Sequence, residues 1–377
     1  MAETTSVVVV GAGPAGLAVG ACLRKAGVDF TILEKENRVA SSWRRHYERL
    51  HLHTIKQFSS LPFLPFPKNY PRYVPRDQMV EYLDSYAKNF NLQPRFGEAV
   101  RLIRRDANEW VVESTSLSIR APFIVIASGY SAEPVKPIFS GTESFKGKLL
   151  HASAYTNAKP FTGQSVLVIG MGNTGAEIAL DLAEHGAHPT ISLRDGVHIV
   201  PRDLFGIPVQ MVAMFATKAL PLGANDRIFP IILDLVLGDL TKYGIKRPKE
   251  GLMQQIRTRA RIPVLDVGTV RKITEGAIKI APGISRITDD GAVFVDESDR
   301  KFDAIIVAAG YRPNYQSFFT NGDLQRVHGD VPDGNSGIYL VGFRNSVTGL
   351  LREISRGAMR IADDIARRRP ELAHRSN

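Results

Sequence analysis

Two short apolar runs in this sequence each end at a glycine-rich turn and continue into a segment with apolar residues at helical spacing. The first run is Ser6–Val10, and the second is Ser165–Ile169. Short apolar runs followed by glycine are typical of buried parallel strands, and the spacing that follows them is typical of helices. The pattern therefore predicts two strand–turn–helix units of the dinucleotide-binding type.

The glycines of the two turns predict where the pyrophosphate groups bind. The first glycine makes the tight bend, the second allows the backbone to approach the phosphates, and the third lets the helix pack on the strand. The helix N-terminus then favours the anion. The predicted nucleotide-binding residues are Gly11, Gly13, Pro14, Ala15 and Gly16 in the first turn, and Gly170, Gly172, Asn173, Thr174 and Gly175 in the second.

A charged residue follows the next strand of each unit. Glu34 follows the first, and a carboxylate there hydrogen-bonds ribose hydroxyls and repels a 2′-phosphate, so this site is expected to hold FAD or NAD. Lys35, the next residue, is assigned to the same site. Arg194 follows the second, and its guanidinium suits a 2′-phosphate. The second site is therefore predicted to bind NADPH.

The rest of the pattern predicts how these units are connected. Residues 76–88 read as an amphipathic helix, and the proline-rich and aromatic stretch 61–75 reads as a loop. Residues 121–129 are expected to be a strand of the first sheet. The chain is expected to return to the first domain through residues 301–310 and to close with a helix over 355–366.

The composition limits the possible classes of protein. A chain of 377 residues is expected to form two or three domains, and 44% hydrophobic residues can fill their cores. Because Cys22 is the single cysteine, one chain forms no disulfide, thiolate metal site or redox dithiol, and no metal site is predicted. A reduced, cytoplasmic setting without an N-terminal signal sequence is expected, because the first apolar run is predicted to be a strand.

The net charge of +10 does not by itself indicate a nucleic-acid partner. The basic residues are scattered, apart from Arg367–Arg369, and no nucleic-acid-binding motif accompanies them. Residues 205–240 are unusually apolar, but neither uncharged run is long enough to span a bilayer. Three interpretations of this segment stay open: core or interdomain packing, a substrate tunnel or lid, and a weak contact with a membrane surface. The oligomeric state is not readable from the sequence.

One motif makes a family resemblance specific. Residues 145–155 match F-x-G-x-x-x-H-x-x-x-Y/F, the signature of class B flavin-dependent monooxygenases, and they lie just upstream of the second glycine turn. The chain resembles the YUCCA-type branch of that family, which converts indole-3-pyruvate to indole-3-acetate. Further local matches are Leu50–Phe58, Arg194–Arg202, Pro263–Gly268, Val307–Arg312 and Tyr339–Phe343.

The resemblance implies an enzyme that uses FAD, NADPH and O2 on a small aromatic or apolar substrate. It implies oxygenation through a flavin C4a-(hydro)peroxide and oxidative decarboxylation of an aromatic 2-oxo acid such as indole-3-pyruvate. N- or S-oxygenation, and a flavoprotein reductase without oxygenation, stay open as alternatives. Ile55, Ala309 and the segment 349–355 depart from the family pattern and leave the substrate open.

The resemblance also assigns residues to the flavin and its chemistry. It places Ser42, Trp43, Gln57 and Gly342 around FAD. His53 and Lys56 are candidates to orient or charge-stabilise the oxygen adduct. A packed or solvent-facing strand histidine is the other interpretation of His53.

The implied fold class is α/β, with two Rossmann-like dinucleotide-binding domains. The NADPH domain is inserted into a split FAD domain. We expect the FAD domain to comprise residues 1–160 and 283–377, and the NADPH domain residues 161–282.

Overall fold

Helices and strands alternate along most of the chain, as the hydrophobic pattern predicts. The structure is a computed structural model that describes residues 3–107, 109–219, 221–259, 261–320 and 336–373. The helices are α1 (Pro14–Lys25), α2 (Ser41–Arg44), α3 (Arg76–Asn89), α4 (Asn173–Glu184), α5 (Val209–Ala219), α6 (Leu222–Leu237), α7 (Leu252–Arg259), α8 (Thr269–Thr274) and α9 (Leu350–Ala373).

The strands are mostly short and lie in several sheets. They are β1 (Glu3–Thr4), β2 (Val7–Val10), β3 (Thr31–Glu34), β4 (Arg95–Phe96), β5 (Leu102–Asp106), β6 (Glu109–Glu113), β7 (Ser118–Ala121), β8 (Phe123–Ile126), β9 (Glu133–Pro134), β10 (Lys148–His151), β11 (Ser165–Ile169), β12 (His188–Ser192), β13 (Ile199–Pro201), β14 (Asp203–Leu204), β15 (Ile207–Pro208), β16 (Val264–Asp266), β17 (Lys279–Ala281), β18 (Ile284–Ile287), β19 (Gly291–Phe294), β20 (Asp299–Lys301), β21 (Ala304–Val307), β22 (Tyr311–Arg312) and β23 (Ile338–Leu340).

The first of two units contains the N-terminal glycine turn. It comprises the chain up to Arg44, Thr54–Glu133 and the part from Tyr311 onwards. Its parallel sheet has the order β23-β8-β2-β3-β4, so β2 is central, with all four of its side chains buried. A second sheet of order β1-β7-β6-β5 contributes Trp110 to the same core. The predicted strand at 121–129 is confirmed as β8, and the predicted helix at 76–88 as α3.

The second unit contains the second glycine turn and comprises Arg45–His53 and Pro134–Gly310. Its parallel sheet has the order β10-β21-β11-β12-β17, with β11 central. Helix α4 packs on this sheet and buries Ile178, Ala179 and Leu182 in the unit's main core. The fold class is therefore confirmed, including the insertion of the second dinucleotide-binding unit into a divided first one.

The second unit is longer than the predicted range 161–282. It starts at Pro134 because β10 pairs with β21 at the edge of its sheet. It extends to Gly310 because β21 also pairs with β11. The prediction that residues 301–310 return to the first domain was therefore wrong. Residues Ala304–Val307 of this run instead form β21 in the parallel sheet of the second unit.

A short segment that precedes the predicted flavin residues also belongs to the second unit. Arg45–His53 leaves the first unit and rejoins it at Thr54. Tyr47 is buried in the core of the second unit, and the Glu48 amide donates to the Thr156 carbonyl at 2.9 Å. Local sequence patterns did not predict this excursion.

The apolar segment 205–240 forms a hairpin followed by α5 and α6. Val209, Phe229 and Leu233 lie in a small core of the second unit, so packing accounts for one side of these helices. Phe215 and Leu235 are exposed, at 74% and 82% of their surface. Within the described residues, no helix is both long enough and apolar enough to cross a bilayer.

Candidate active site

The first glycine turn has the geometry of a phosphate cradle. Gly11 follows β2 with φ of 106°, a value that favours glycine, and Pro14 occupies the first turn of α1. A Cβ on Gly16 would lie 1.8 Å from the carbonyl oxygen of Gly11, whereas a Cβ on Gly13 would meet no atom within 4 Å. Gly16 therefore serves helix packing, and Gly13 leaves open space at the helix N-terminus where a phosphate fits.

Glu34 is held beside this turn at the end of β3. It is buried, its Oε2 accepts from the Ala12 amide at 2.7 Å, and its Oε1 accepts from the Glu36 amide at 3.0 Å. These bonds fix the carboxylate at the carboxyl edge of the sheet, where an acidic residue hydrogen-bonds the ribose in folds of this type. Lys35 is exposed beside it.

The other predicted flavin residues lie in three places in the first unit. Ser42 and Trp43 are in α2, and Gln57 is exposed in a 3-10 turn over Lys56–Phe58. Gly342 follows β23, and a Cβ built on it would lie 3.2 Å from the Cβ of Ala15 in the glycine turn. Gly342 and the first glycine turn are therefore neighbours.

Lys56 is engaged by the proline-rich loop. Its Nζ donates to the carbonyls of Lys68 at 2.8 Å and Pro67 at 3.3 Å, and to that of Tyr70. An ammonium has three donors, so these carbonyls can use all of them. A role for Lys56 in oxygen chemistry stays a prediction, whereas its role in holding this loop is observed.

The second glycine turn repeats the geometry of the first. A Cβ on Gly175 would lie 2.0 Å from the carbonyl oxygen of Gly170, and one on Gly172 would meet no atom within 4 Å. Asn173 follows Gly172, and its side chain accepts from the Leu265 amide at 2.7 Å and donates to the Pro263 carbonyl at 3.2 Å. The amide of Asn173 therefore joins α4 to β16, the strand in the motif Pro263–Gly268. Thr174, in the first turn of α4, is half-buried.

Arg194 is exposed at the carboxyl end of β12. Its side chain is 88% exposed, and its Nε donates to the adjacent Asp195 carboxylate at 2.9 Å. An exposed guanidinium at this edge of the second sheet is free to reach a phosphate, so the two turns keep the contrast between an acid and a base that the sequence predicts.

The signature motif builds one edge of the second unit. A Cβ on Gly147 would lie 2.5 Å from the Asp303 carbonyl oxygen, so glycine allows β10 to approach β21 closely. His151 ends β10, where its Nδ1 accepts from the Ser153 amide at 3.0 Å, and burial lowers its pKa. Tyr155 is buried and donates to Asp181 of α4 at 2.6 Å, and its burial raises its pKa. These contacts give the motif a structural role.

His53 lies in the second unit and contacts a carboxylate that sequence reasoning missed. Its Nε2 meets Oε1 of Glu177 on α4, and Glu177 is only 3% exposed. Glu177, Asp181 and Glu184 are spaced four and three residues apart, so they lie on one face of α4. A buried carboxylate on an otherwise apolar helix requires a partner. This requirement was the sequence signal from which a partner for Glu177 could have been predicted.

The single cysteine of the chain lies in the interior of a helix. Cys22 is buried in α1, and burial raises the pKa of its thiol to about 12, so the thiolate is scarce. The described part of the chain contains no group of three or more metal-ligating side chains.

Comparisons with known proteins agree with this architecture. Residues 8–200 match the family described as pyridine nucleotide-disulphide oxidoreductase. The chain is 41% identical over 370 residues to indole-3-pyruvate monooxygenase YUCCA1 of Oryza sativa subsp. japonica, covering 95% of this chain and 90% of that protein. It is 38% identical over 379 residues to indole-3-pyruvate monooxygenase YUCCA6 of Arabidopsis thaliana, covering 96% and 90%.

Solved structures share the fold at lower identity. A flavin-containing monooxygenase from Stenotrophomonas maltophilia has a TM-score of 0.73 at 22% identity, covering 96% of this chain and 98% of that one. Cyclohexanone monooxygenase from Rhodococcus sp. Phi1, bound to NADP+, has a TM-score of 0.72 at 18% identity, covering 98% and 85%.

The fold and the two glycine turns define a flavoprotein oxidoreductase with two dinucleotide sites. Within that class, the chain belongs to the flavin-dependent monooxygenases of the YUCCA family. FAD and NADPH are the cofactors that this family assignment implies.

Proposed function

We propose that this enzyme catalyses the oxidative decarboxylation of indole-3-pyruvate to indole-3-acetate. The supporting observation is the identity of 37–41% with proteins named as indole-3-pyruvate monooxygenases, which extends over at least 95% of the chain. The balanced reaction consumes indole-3-pyruvate, NADPH, a proton and O2, and it yields indole-3-acetate, NADP+, CO2 and water.

Residues of the first unit would hold FAD. Gly11, Gly13 and Gly16 form the turn for the pyrophosphate, and Glu34 accepts hydrogen bonds from the adenosine ribose. In the second unit, Gly170, Gly172 and Gly175 form the turn for NADPH, and Arg194 pairs with its 2′-phosphate. The bound cofactors supply hydride transfer and oxygen activation, which side chains cannot provide.

His53 and Lys56 remain candidates to orient or charge-stabilise the oxygen adduct, but their observed contacts restrict how either side chain could do so. Each side chain already has protein partners, namely Glu177 for His53 and three loop carbonyls for Lys56. In the second unit His53 therefore holds the segment that ends before Thr54, and in the first unit Lys56 holds the proline-rich loop.

A disulfide reductase is the less favoured alternative. A bacillithiol disulfide reductase from Staphylococcus aureus shares the fold, with a TM-score of 0.68 at 18% identity. Cys22 is the single cysteine of this chain, so one chain has no dithiol to exchange with a disulfide.

The test is to assay the FAD-loaded protein with NADPH, O2 and indole-3-pyruvate. We expect one indole-3-acetate and one CO2 per NADPH consumed. Phenylpyruvate serves as a second 2-oxo acid, and an amine and a sulfide test the other oxygenation classes. NADPH oxidation that releases only hydrogen peroxide with every substrate would contradict the proposal.

A further inference from the structure

A 2-oxo acid is an anion, so the proposed substrate needs a cation near the flavin site of the first unit. The two cationic candidates suggested by the motifs are already engaged. Lys56 donates to three loop carbonyls, and His53 lies in the second unit against Glu177. The cation that recognises the carboxylate is therefore expected elsewhere in the first unit.

Arg352 is a half-buried cation beside the predicted flavin segment. Its guanidinium carbon lies 4.8 Å from the ring centroid of Phe58, the residue that follows Gln57. Within the described part of the chain, no carboxylate lies within ion-pair distance of Arg352. The adjacent carboxylate of Glu353 is engaged instead, because it accepts from the Ser346 hydroxyl at 3.1 Å and from Thr348.

The backbone places Arg352 at the same edge of the first sheet as the glycine turn. Arg352 is in the first turn of α9, two residues before Ile354. A Cβ built on Gly342 would lie 3.5 Å from the Ile354 side chain and 3.2 Å from Ala15. The first turn of α9 is thus next to the N-terminal turn of α1, and positive charge there adds to that of two helix N-termini.

From this arrangement we infer that Arg352 binds the carboxylate of the 2-oxo acid substrate. The inference rests on the proposed function, because an amine or a sulfide would bring no anion to this position. Arginine suits the role, since its planar guanidinium pairs with a carboxylate through two parallel hydrogen bonds while one face stacks on an aromatic ring. Phe58 supplies that ring.

The experiment measures binding and turnover separately on the FAD-loaded enzyme. Equilibrium dialysis gives the Kd of indole-3-pyruvate for the wild type, Arg352→Gln, Arg352→Lys and the matched control Arg356→Gln, an exposed arginine on the same helix. We expect Arg352→Gln to raise the Kd about 10- to 100-fold, the range for losing a charge-assisted pair. Arg352→Lys should recover part of the loss, and Arg356→Gln should bind like the wild type.

Flavin measurements exclude a merely structural effect. FAD content per chain and the anaerobic rate of flavin reduction by NADPH should be the same in Arg352→Gln and the wild type. The inference is overturned if Arg352→Gln binds indole-3-pyruvate as tightly as the wild type, or if it loses FAD. If the wild type binds indole-3-pyruvate but forms no indole-3-acetate, the proposed function fails while the binding role of Arg352 is still decided by its Kd.

Discussion

The imidazole of His53 contacts the carboxylate of Glu177 within the second unit. Glu177 is 3% exposed and lies on α4, the helix that begins at the second glycine turn. The residue suggested by its motif as a catalytic group of the flavin site is therefore a partner of α4, the helix predicted to bind NADPH. This contact gives His53 a structural role that can be measured.

His53→Ala should lower the free energy of unfolding by about 1–3 kcal/mol, because it leaves a buried carboxylate without its partner. Glu177→Gln should cost a similar amount. The double variant should cost less than the sum of the two, since both substitutions break the same contact. Urea unfolding of the four proteins measures this coupling. Additive effects, or His53→Ala with wild-type stability that releases hydrogen peroxide in place of product, would favour the catalytic interpretation.

Lys56→Met should loosen the proline-rich loop. The carbonyls of Pro67, Lys68 and Tyr70 lose their shared donor, so the loop should open more often and trypsin should cleave faster after Lys68. Limited proteolysis with mass spectrometry identifies the cut site. Lys88→Met, an exposed residue on α3, is the matched control. An unchanged digestion pattern combined with lost oxygenation would instead show that Lys56 acts in the chemistry.

Two neighbouring glycines of the second turn should respond differently to alanine. Gly175→Ala places a methyl group 2.0 Å from the Gly170 carbonyl oxygen, so it should cost about 1–3 kcal/mol of stability. Gly172→Ala meets no protein atom within 4 Å, and Gly172 has φ of −83°, so its stability should change by less than about 0.5 kcal/mol.

The methyl group of Gly172→Ala would instead obstruct the nucleotide. We expect a higher KM for NADPH with an unchanged melting temperature. Calorimetry gives the melting temperatures of Gly172→Ala and Gly175→Ala, and steady-state kinetics gives their KM for NADPH. A wild-type KM in a stable Gly172→Ala protein would mean that the pyrophosphate does not bind at this turn.

Arg194→Ala should change the nucleotide preference of the enzyme. Losing a charge-assisted contact with the 2′-phosphate costs about 1.5–3 kcal/mol, or about 10- to 100-fold in kcat/KM for NADPH, with little effect on NADH. Asp195→Asn removes the carboxylate that holds Arg194 at 2.9 Å, so it should leave the preference intact or strengthen it. Equal losses with both nucleotides in Arg194→Ala would refute the assignment.

Acid should destabilise the second unit through its buried histidines. Burial lowers the pKa of His198, whose Nε2 lies 2.9 Å from the Glu250 carbonyl oxygen, and also that of His151. Because the folded pKa lies below the unfolded value of about 6.5, the stability these groups contribute is present above that pH and is lost as the pH falls below it.

His198→Gln removes one titrating group and keeps a side chain that can donate to the Glu250 carbonyl. The unfolding free energy of this variant should depend less steeply on pH between about 6.5 and 5 than that of the wild type. Urea titrations at several pH values provide the comparison. Parallel profiles for the variant and the wild type would show that His198 carries no share of the acid sensitivity.

The two strand–turn–helix units could be predicted from the sequence because their signals are local. A short apolar run, three glycines and a charged residue after the next strand are all read within one strand–turn–helix unit. The same holds for α3, whose periodicity is contained in its own residues.

Features that depend on distant partners were not predictable in this way. The strand at Ala304–Val307 has the same apolar pattern whichever sheet it joins. Only its pairing with β10 and β11 determines that it belongs to the sheet of the second unit. His53 contacts Glu177, which is 124 residues away in the sequence, and the motif around His53 does not indicate that partner. Lys56 was interpreted by its charge, whereas its observed contacts depend on the path of the proline-rich loop.

The excursion of Arg45–His53 limits how this enzyme can be recombined with its relatives. In a chimera that takes only Pro134–Gly310 from a relative, Tyr47 of this enzyme would pack against the relative's core residues. His53 of this enzyme would contact the relative's version of α4. An exchange that carries Arg45–His53 along would preserve both contacts. Exchange of the whole second unit of this enzyme therefore needs four junctions in the chain.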